Sequence, residues 1–135
     1  MAKKILVTGG TGYIGSHTAV ELINAGHDVV IIDNLYNSDR SVLEGIQNIT
    51  GYRPEFHQID LCERDRLEAF FAGRKDIAAV IHFAAYKAVG ESAEKPLMYY
   101  RNNIVSTLNL LEAMIGNGVK PIVFSSSCTV YGQPD

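Results

Sequence analysis

The chain has 135 residues, of which 47% are hydrophobic and 20% charged, and its formal net charge is −3 at pH 7. This length and composition are typical of one globular domain with a single hydrophobic core. The mild negative charge gives no basis for binding nucleic acid or an anionic membrane, and no apolar run is long enough to span a bilayer.

The first part of the chain alternates short apolar runs with an amphipathic stretch. Residues 4–8 (KILVT) and 28–33 (DVVIID) predict two buried strands. Their apolar residues follow one another without alternation, as in parallel strands that are covered on both faces. Between them, apolar residues at helical spacing predict a helix over 13–25, and Gly26 provides its stop. A polar loop follows over 34–39.

The rest of the chain continues the alternation. Its predicted elements are, in chain order, a helix over 41–48, a weaker strand over 54–60, a charged helix over 63–72, a strand over 77–83, a long helix over 96–114 and a strand over 121–125. Pro96 suits the first turn of the long helix, and Gly116 and Gly118 close it. The order βαβαβαβαβ predicts a doubly wound α/β fold, with a parallel sheet, helices on both faces and right-handed crossovers.

A glycine-rich turn, TGGTGYIG over residues 8–15, joins the first predicted strand to the first predicted helix. A strand before it, a helix after it and an acidic residue at the end of the next strand together indicate a dinucleotide-binding site. Gly9 permits the tight turn, Gly12 lets the backbone approach the pyrophosphate, and Gly15 lets the helix pack closely on the sheet. The alternative is a glycine-rich turn without a ligand. ATP hydrolysis is disfavoured, because no lysine stands where a Walker-type loop needs one.

Asp33 ends the second predicted strand, where a carboxylate accepts hydrogen bonds from the adenosine ribose and repels a 2′-phosphate. Asn34 and Leu35 come next, so no cationic residue immediately follows to offset that repulsion. The sequence therefore predicts NAD in preference to NADP. The alternative is an aspartate that only caps a loop.

The cysteines and histidines form no metal or redox motif. Cys62 and Cys128 are far apart and belong to no ligand pattern, which favours reduced thiols over a disulfide. The four histidines lack metal-ligand spacing, and we expect His82, in a predicted buried strand, to have a packing role. Since the start of the chain also lacks the architecture of a signal peptide, we expect a soluble cytoplasmic protein without a metal.

Four further segments carry a resemblance to a known family. They are residues 33–38 (DNLYNS), 60–61 (DL), 82–92 (HFAAYKAVGES) and 125–132 (SSSCTVYG). Together with the glycine spacing, they resemble the extended short-chain dehydrogenase/reductase family. Residues 87–92 (KAVGES) are most similar to its UDP-hexose 4-epimerases, because the nucleotide-sugar dehydratases of this family usually differ there. The resemblance extends from Lys4 to Gly132.

The resemblance implies a set of site residues at these positions. The residues that it implies to bind the cofactor are Gly9, Gly12, Tyr13, Ile14 and Gly15 at the pyrophosphate, Asp33, Asn37 and Ser38 at the adenosine ribose, Asp60 and Leu61 at adenine, Phe83, Ala84 and Ala85 on the path to nicotinamide, and also Asn34, Lys87, Asn102 and Ser125. Lys87 would reach a phosphate or the nicotinamide-side ribose, with Asn102 in the same region. Ser127 would be catalytic, since it would bond the sugar O4 and assist proton transfer. A surface lysine, an exposed asparagine and an ordinary polar loop are the alternatives.

The base of the family is the tyrosine of a Tyr-x-x-x-Lys motif, and no tyrosine of this sequence has a lysine four positions later. We therefore expect residues 1–135 to be an incomplete NAD-binding Rossmann-type domain, truncated after the fifth strand. We also expect the C-terminal sugar-nucleotide domain to be absent and the chain alone to be inactive.

For the intact protein, the resemblance implies NAD-dependent interconversion of UDP-glucose and UDP-galactose by inversion at C4 through a 4-keto intermediate. The expected partner is a UDP-hexose substrate, without nucleic acid or membrane, and a homodimer is left open. Two alternatives also remain open. One is another nucleotide-sugar enzyme, such as a 4,6-dehydratase or a uronate epimerase, and the other is a non-catalytic NAD-binding module.

Overall fold

The computed structural model describes residues 3–35, 38–83 and 96–124, with the backbone alone at 96, 98–100, 102 and 124. Its elements are the strands β1 (Lys4–Thr8), β2 (Asp28–Asp33), β3 (Glu55–Gln58), β4 (Ile77–His82) and β5 (Ile122–Phe124), and the helices α1 (Tyr13–Asn24), α2 (Ser41–Thr50), α3 (Arg64–Phe71) and α4 (Pro96–Gly116). The five strands form one parallel sheet in the order β3-β2-β1-β4-β5. The predicted doubly wound α/β fold is confirmed.

Two apolar layers cover the faces of the sheet, because successive side chains of a strand point to opposite faces. On one face, Leu6 and Val30 belong to a buried cluster with residues of α3 and α4. On the other face, Val7 and Ile31 belong to a cluster with residues of α1 and α2. The unbroken apolar runs of β1 and β2 thus correspond to strands that are buried on both sides, as predicted.

The helices α2 and α4 each end two residues later than predicted, at Thr50 and Gly116. Gly51 (φ 78°) follows α2 and Gly118 (φ 75°) lies just beyond α4, both in the left-handed conformation that glycine adopts at little cost. Gly116 is the last residue of α4 itself. No helix in the described part of the chain is long and apolar enough to cross a membrane.

The strand β3 ends at Gln58, two residues earlier than predicted. The next N–H, of Ile59, still donates to the carbonyl of Asp33 at 3.2 Å. The carbonyl of Asp60 then accepts a hydrogen bond from the N–H of Glu63 at 2.8 Å, so the chain turns towards α3. Asp60 therefore lies at the carboxyl edge of the sheet, shortly after the end of β3.

An ionic cluster lies at the amino-terminal edge of the sheet, opposite the glycine turn. Glu55, at the start of β3, accepts hydrogen bonds from Arg74 and from Lys4 of β1, and it contacts His57. Arg74 also donates to Asp76, which precedes β4. The hydrogen bonds from Arg74 hold the pKa of Glu55 well below its ordinary value, and they also lower the pKa of Asp76. The cluster therefore ties together the starts of three strands.

We expect Glu55→Gln to lower the free energy of unfolding at neutral pH by about 1–3 kcal/mol, because Arg74 loses a charged partner. The pKa values of Glu55 and Asp76 are lower in the folded chain than in the unfolded one. The stability that they contribute is therefore present at neutral pH and is lost as the pH falls below about 4. Urea unfolding at neutral pH and at about pH 3 should show a smaller loss of stability on acidification in the variant than in the wild type.

Glu112→Gln is the matched control, because exposed Glu112 of α4 pairs with exposed Arg64 of α3. We expect it to change the free energy of unfolding by less than about 0.5 kcal/mol. Equal acid sensitivity of the wild type and Glu55→Gln would show that the cluster does not set the pH dependence.

Candidate dinucleotide-binding site

The glycine turn connects the end of β1 to the start of α1 at the carboxyl edge of the sheet. Gly9 has a φ of 73°, and its N–H donates to the carbonyl of Ile32 in β2 at 2.8 Å. Its own carbonyl accepts the N–H of Gly12 at 3.1 Å. The left-handed φ explains why a glycine stands at position 9.

Two close approaches in this turn leave no room for a side chain. A Cβ on Gly15 would lie 2.1 Å from the carbonyl oxygen of Gly9, so α1 begins directly against the turn. A Cβ on Gly10 would lie 2.6 Å from the side chain of Ile31 in β2. From the sequence, Gly15 is expected to let the helix pack closely on the sheet. In the structure Gly15 packs on the turn, and Gly10, for which no role is predicted, makes the contact with the sheet.

The N-terminus of α1 opens onto the same turn. Gly12 is its N-cap residue and supplies no side-chain hydrogen bond, and the first turn of the helix carries no acidic residue. The backbone N–H groups of Tyr13 and Ile14 are therefore available to an external acceptor. Both side chains are exposed. Helix N-termini of this kind carry partial positive charge and suit a phosphate group.

The carboxylate of Asp33 faces the glycine turn from the end of β2. Its Oδ2 accepts hydrogen bonds from the N–H of Thr11 at 3.2 Å and from the Thr11 hydroxyl at 2.6 Å. The Ser38 hydroxyl lies 2.5 Å from that same hydroxyl. Oδ1 accepts the N–H of Leu35 at 2.9 Å. Because each carboxylate oxygen has two lone pairs, Oδ1 can still accept a hydrogen bond from a ribose hydroxyl.

Thr11 and Leu35 both donate hydrogen bonds to Asp33, and neither was predicted from the sequence. Thr11 is buried and holds Asp33 from across the turn. Leu35 has a φ of 62°, a left-handed conformation that is rare for leucine, and the hydrogen bond to Asp33 holds it there. The place of Thr11 inside the glycine turn is visible in the sequence, but its contact with Asp33, 22 positions away, is not. Nothing in the sequence marks Leu35.

Asp60 and Leu61 lie at the same edge, just beyond β3. The Asp60 carboxylate accepts the N–H of Cys62 at 2.9 Å. Leu61 is buried, and its carbonyl accepts a hydrogen bond from the Asn109 amide of α4 at 2.8 Å. Burial, followed by the charge of Asp60, raises the pKa of the Cys62 thiol to about 11. Cys62 is therefore protonated at neutral pH.

The ends of β1 and β4 lie side by side where the order of the strands reverses. Thr8 and His82 are register partners there, both are buried, and the Thr8 hydroxyl lies 2.6 Å from Nδ1 of His82. His82 thus has a hydrogen-bonding role in addition to the expected packing. Phe83 donates its N–H to the carbonyl of Thr8 at 2.9 Å. In open parallel sheets, ligands bind in the crevice at such a switch point.

The described site residues converge on this one edge of the sheet. Those predicted from the sequence are Gly9, Gly12, Tyr13, Ile14, Gly15, Asp33, Asn34, Ser38, Asp60, Leu61 and Phe83. The other predictions lie outside the described residues and concern Asn37, Ala84, Ala85, Lys87, Ser125, Ser127 and the side chain of Asn102. The backbone of Asn102 belongs to α4.

The sheet order, the glycine turn and the acidic end of β2 define a dinucleotide-binding protein of the doubly wound α/β class. The chain belongs to the NAD dependent epimerase/dehydratase family, whose model matches residues 5–135.

The chain is similar to curated UDP-glucose 4-epimerases. It is 58% identical to the enzyme of Yersinia pestis, over 96% of this chain and 38% of that protein. It is 54% identical to UDP-glucose 4-epimerase 2 of Arabidopsis thaliana, over 99% of this chain and 39% of that protein. The chain therefore spans about two fifths of the length of these relatives.

Solved structures show the same similarity. A crystal structure of UDP-glucose 4-epimerase from Bifidobacterium longum in complex with NAD+ and UDP matches with a TM-score of 0.91 at 48% identity, over 98% of this chain and 39% of that chain. The enzyme from Stenotrophomonas maltophila, with bound NAD and formylated UDP-arabinopyranose, matches with a TM-score of 0.90 at 53% identity, over 98% of this chain and 39% of that chain.

We expect Gly15→Ala to lower the free energy of unfolding by about 1–3 kcal/mol, because its Cβ would collide with a backbone carbonyl that cannot rotate away. Moving α1 away from the turn should also weaken dinucleotide binding. Gly45→Ala, inside α2 with nothing within 4 Å of the added Cβ, is the control. We expect it to stabilise the chain by about 0.5–1 kcal/mol. Urea unfolding and calorimetry measure both effects, and a Gly15→Ala variant as stable as the wild type would contradict the close approach.

Proposed function

We propose that this chain is the NAD-binding part of a UDP-glucose 4-epimerase and that the protein containing it interconverts UDP-glucose and UDP-galactose. The observation that carries the proposal is the Asp33 carboxylate, which Thr11 holds against a glycine turn beside an uncapped helix N-terminus. The substrate class is supported by the relatives, which are UDP-glucose 4-epimerases.

The described residues fit the separate parts of NAD. The N–H groups of Tyr13 and Ile14 would bind the pyrophosphate, because they lack a side-chain cap. The carboxylate of Asp33 would accept hydrogen bonds from the adenosine ribose, and Asp60 with Leu61 would flank adenine. Asp33 lies at the end of β2, and Asp60 and Leu61 lie just beyond β3. The nicotinamide half would therefore extend in the opposite direction, towards β4.

A preference for NAD over NADP follows from the charge near Asp33. A 2′-phosphate would meet this carboxylate, and a protein that accepts NADP usually offers an arginine there. Arg40 is the first basic residue along the chain after Asp33. Its guanidinium lies over the ring of Phe56, 5.2 Å from the centroid, and donates to Gln58 at 3.4 Å. Arg40 is therefore engaged with β3.

When bound, NAD supplies a hydride acceptor that oxidises C4 of the hexose and then returns the hydride to the opposite face of the 4-keto sugar. The residues of the chain bind and orient the reactants. We assign Ser127 the hydrogen bond to the sugar O4 hydroxyl, and we assign Lys87 and Asn102 contacts on the nicotinamide side. Phe83, Ala84, Ala85 and Ser125 would line that end of the site, with Asn34, Asn37 and Ser38 at the other.

Proton removal from the O4 hydroxyl needs a base. These 135 residues contain no tyrosine with a lysine four positions later. We therefore propose that the base lies in a part of the protein beyond residue 135, together with a sugar-nucleotide domain, and that the 135-residue chain alone binds NAD without turnover.

Calorimetric titration of the chain with NAD and NADP tests the cofactor assignment. We expect NAD to bind at least about tenfold more tightly, because Asp33 repels the 2′-phosphate. UDP-galactose added afterwards should give neither NADH absorbance nor UDP-glucose. Equal affinities would contradict the role of Asp33, and turnover would show that another group replaces the absent tyrosine. In the intact protein, loss of water from the substrate would indicate a dehydratase.

Asp33→Asn should weaken NAD binding by about tenfold, because the ribose loses a charged hydrogen-bond acceptor. It should also reduce the preference for NAD over NADP. Asp39→Asn is the matched control, since it removes the same charge from an exposed residue of the loop that follows β2, where Asp39 caps the N–H of Ser41. We expect it to leave the ratio of the two affinities unchanged. If both variants changed that ratio equally, net charge would explain the preference.

A further inference from the structure

The helix α4 contacts the rest of the fold through apolar residues in its second half and through hydrogen bonds nearer its middle. The apolar residues, which are buried in the layer shared with α3, are Leu110, Ala113 and Met114. Thr107 and Asn109 make hydrogen bonds instead, with His82 of β4 and with the carbonyl of Leu61. Apolar contacts are non-directional, whereas hydrogen bonds require defined distances and angles. The hydrogen bonds therefore define the position of α4 along the direction of the strands.

A chain of three hydrogen bonds runs from β1 through β4 into α4. The Thr8 hydroxyl lies 2.6 Å from Nδ1 of His82, and Nε2 of His82 lies 3.3 Å from the Thr107 hydroxyl. That hydroxyl donates to the carbonyl of Asn103 at 2.8 Å. Thr8 and His82 are both buried, so the bond between them forms away from water, whereas the two bonds of Thr107 are partly buried.

The number of hydrogen atoms available determines which group donates in each of these three hydrogen bonds. A threonine hydroxyl has one hydrogen, and that of Thr107 is donated to the carbonyl of Asn103. The Thr107 oxygen therefore accepts a hydrogen bond from the Nε2–H of His82. A neutral imidazole with hydrogen on Nε2 accepts at Nδ1, so the Thr8 hydroxyl donates to it. For a neutral His82, this assignment places the hydrogen on Nε2, and each donor lies on the sheet side of its acceptor.

We propose that His82 is a positioning residue of the dinucleotide site, which sets the place of α4 at the switch point between β1 and β4. This inference rests on the proposed function, because the distal half of NAD would occupy the crevice at that point. Asn102, to which we assign a contact on the nicotinamide side, adjoins Asn103 at the end of the hydrogen-bond chain. A shift of α4 would therefore disturb the nicotinamide half and leave the adenosine half, at β2 and β3, in place.

Thr107→Val tests this role, because valine keeps the shape of threonine but cannot accept a hydrogen bond from His82. We expect NAD affinity to fall by about tenfold, while affinity for ADP changes by less than about twofold. ADP carries the adenosine and the pyrophosphate but lacks the distal ribose and nicotinamide. Thr107→Ser keeps the hydroxyl and should restore NAD affinity. Calorimetry with both ligands measures the ratio.

The tautomer is a second readout, which needs no ligand. Nitrogen-15 chemical shifts of His82 should show hydrogen on Nε2 in the wild type and in Thr107→Ser, and a mixture of tautomers in Thr107→Val. Hydrogen on Nδ1 of His82 in the wild type would contradict this assignment of donors and acceptors.

Equal weakening of NAD and ADP binding in Thr107→Val would overturn the positioning role, since it would indicate a general loss of folding. Unchanged binding of both ligands would overturn it as well. These outcomes differ from a failure of the proposed function, in which the wild-type chain itself would bind no NAD.

Discussion

The contact between Gly15 and the carbonyl of Gly9 is the constraint on which the site depends. The two backbones approach so closely that a Cβ on Gly15 would lie 2.1 Å from that oxygen. This approach holds the N-terminus of α1 against the turn at the carboxyl edge of the sheet, where no side chain caps its N–H groups. Thr11, in the same turn, donates a hydrogen bond to Asp33 at the end of β2.

The two edges of the sheet differ in how far their polar groups are paired within the chain. At the amino-terminal edge, Glu55 and Asp76 are paired with Arg74, and the lowered pKa values of these carboxyl groups show that the pairing favours their charged forms. At the carboxyl edge, the helix N-terminus has no side-chain cap, and Asp33 keeps capacity to accept a further hydrogen bond. Internal pairing thus stabilises one edge, while the other keeps polar groups for a ligand. The groups that hold the starts of the strands are therefore different from the groups that face the crevice.

The sequence predicted most of the fold, because its signals are local. The unbroken apolar runs of β1 and β2 indicated strands buried on both faces, and the structure has them so. The strand β3 was the least accurate prediction, since its end depends on the turn between Asp60 and Glu63, the residue before α3. Asp33 was found because a carboxylate that ends a strand is visible in the sequence. Thr11 was not, because its role depends on a strand that lies across the turn.

By itself, the sequence determined the alternation of strands and helices, the glycine turn and the acidic strand end, because each depends on residues that are neighbours along the chain. Only the tertiary structure decided the order β3-β2-β1-β4-β5 and the contacts across it. Glu55 meets Lys4 across 51 positions of the chain, and Thr8 meets His82 across 74. Such pairs form only when strands distant in sequence align in register, which is a property of the whole sheet and of no single segment.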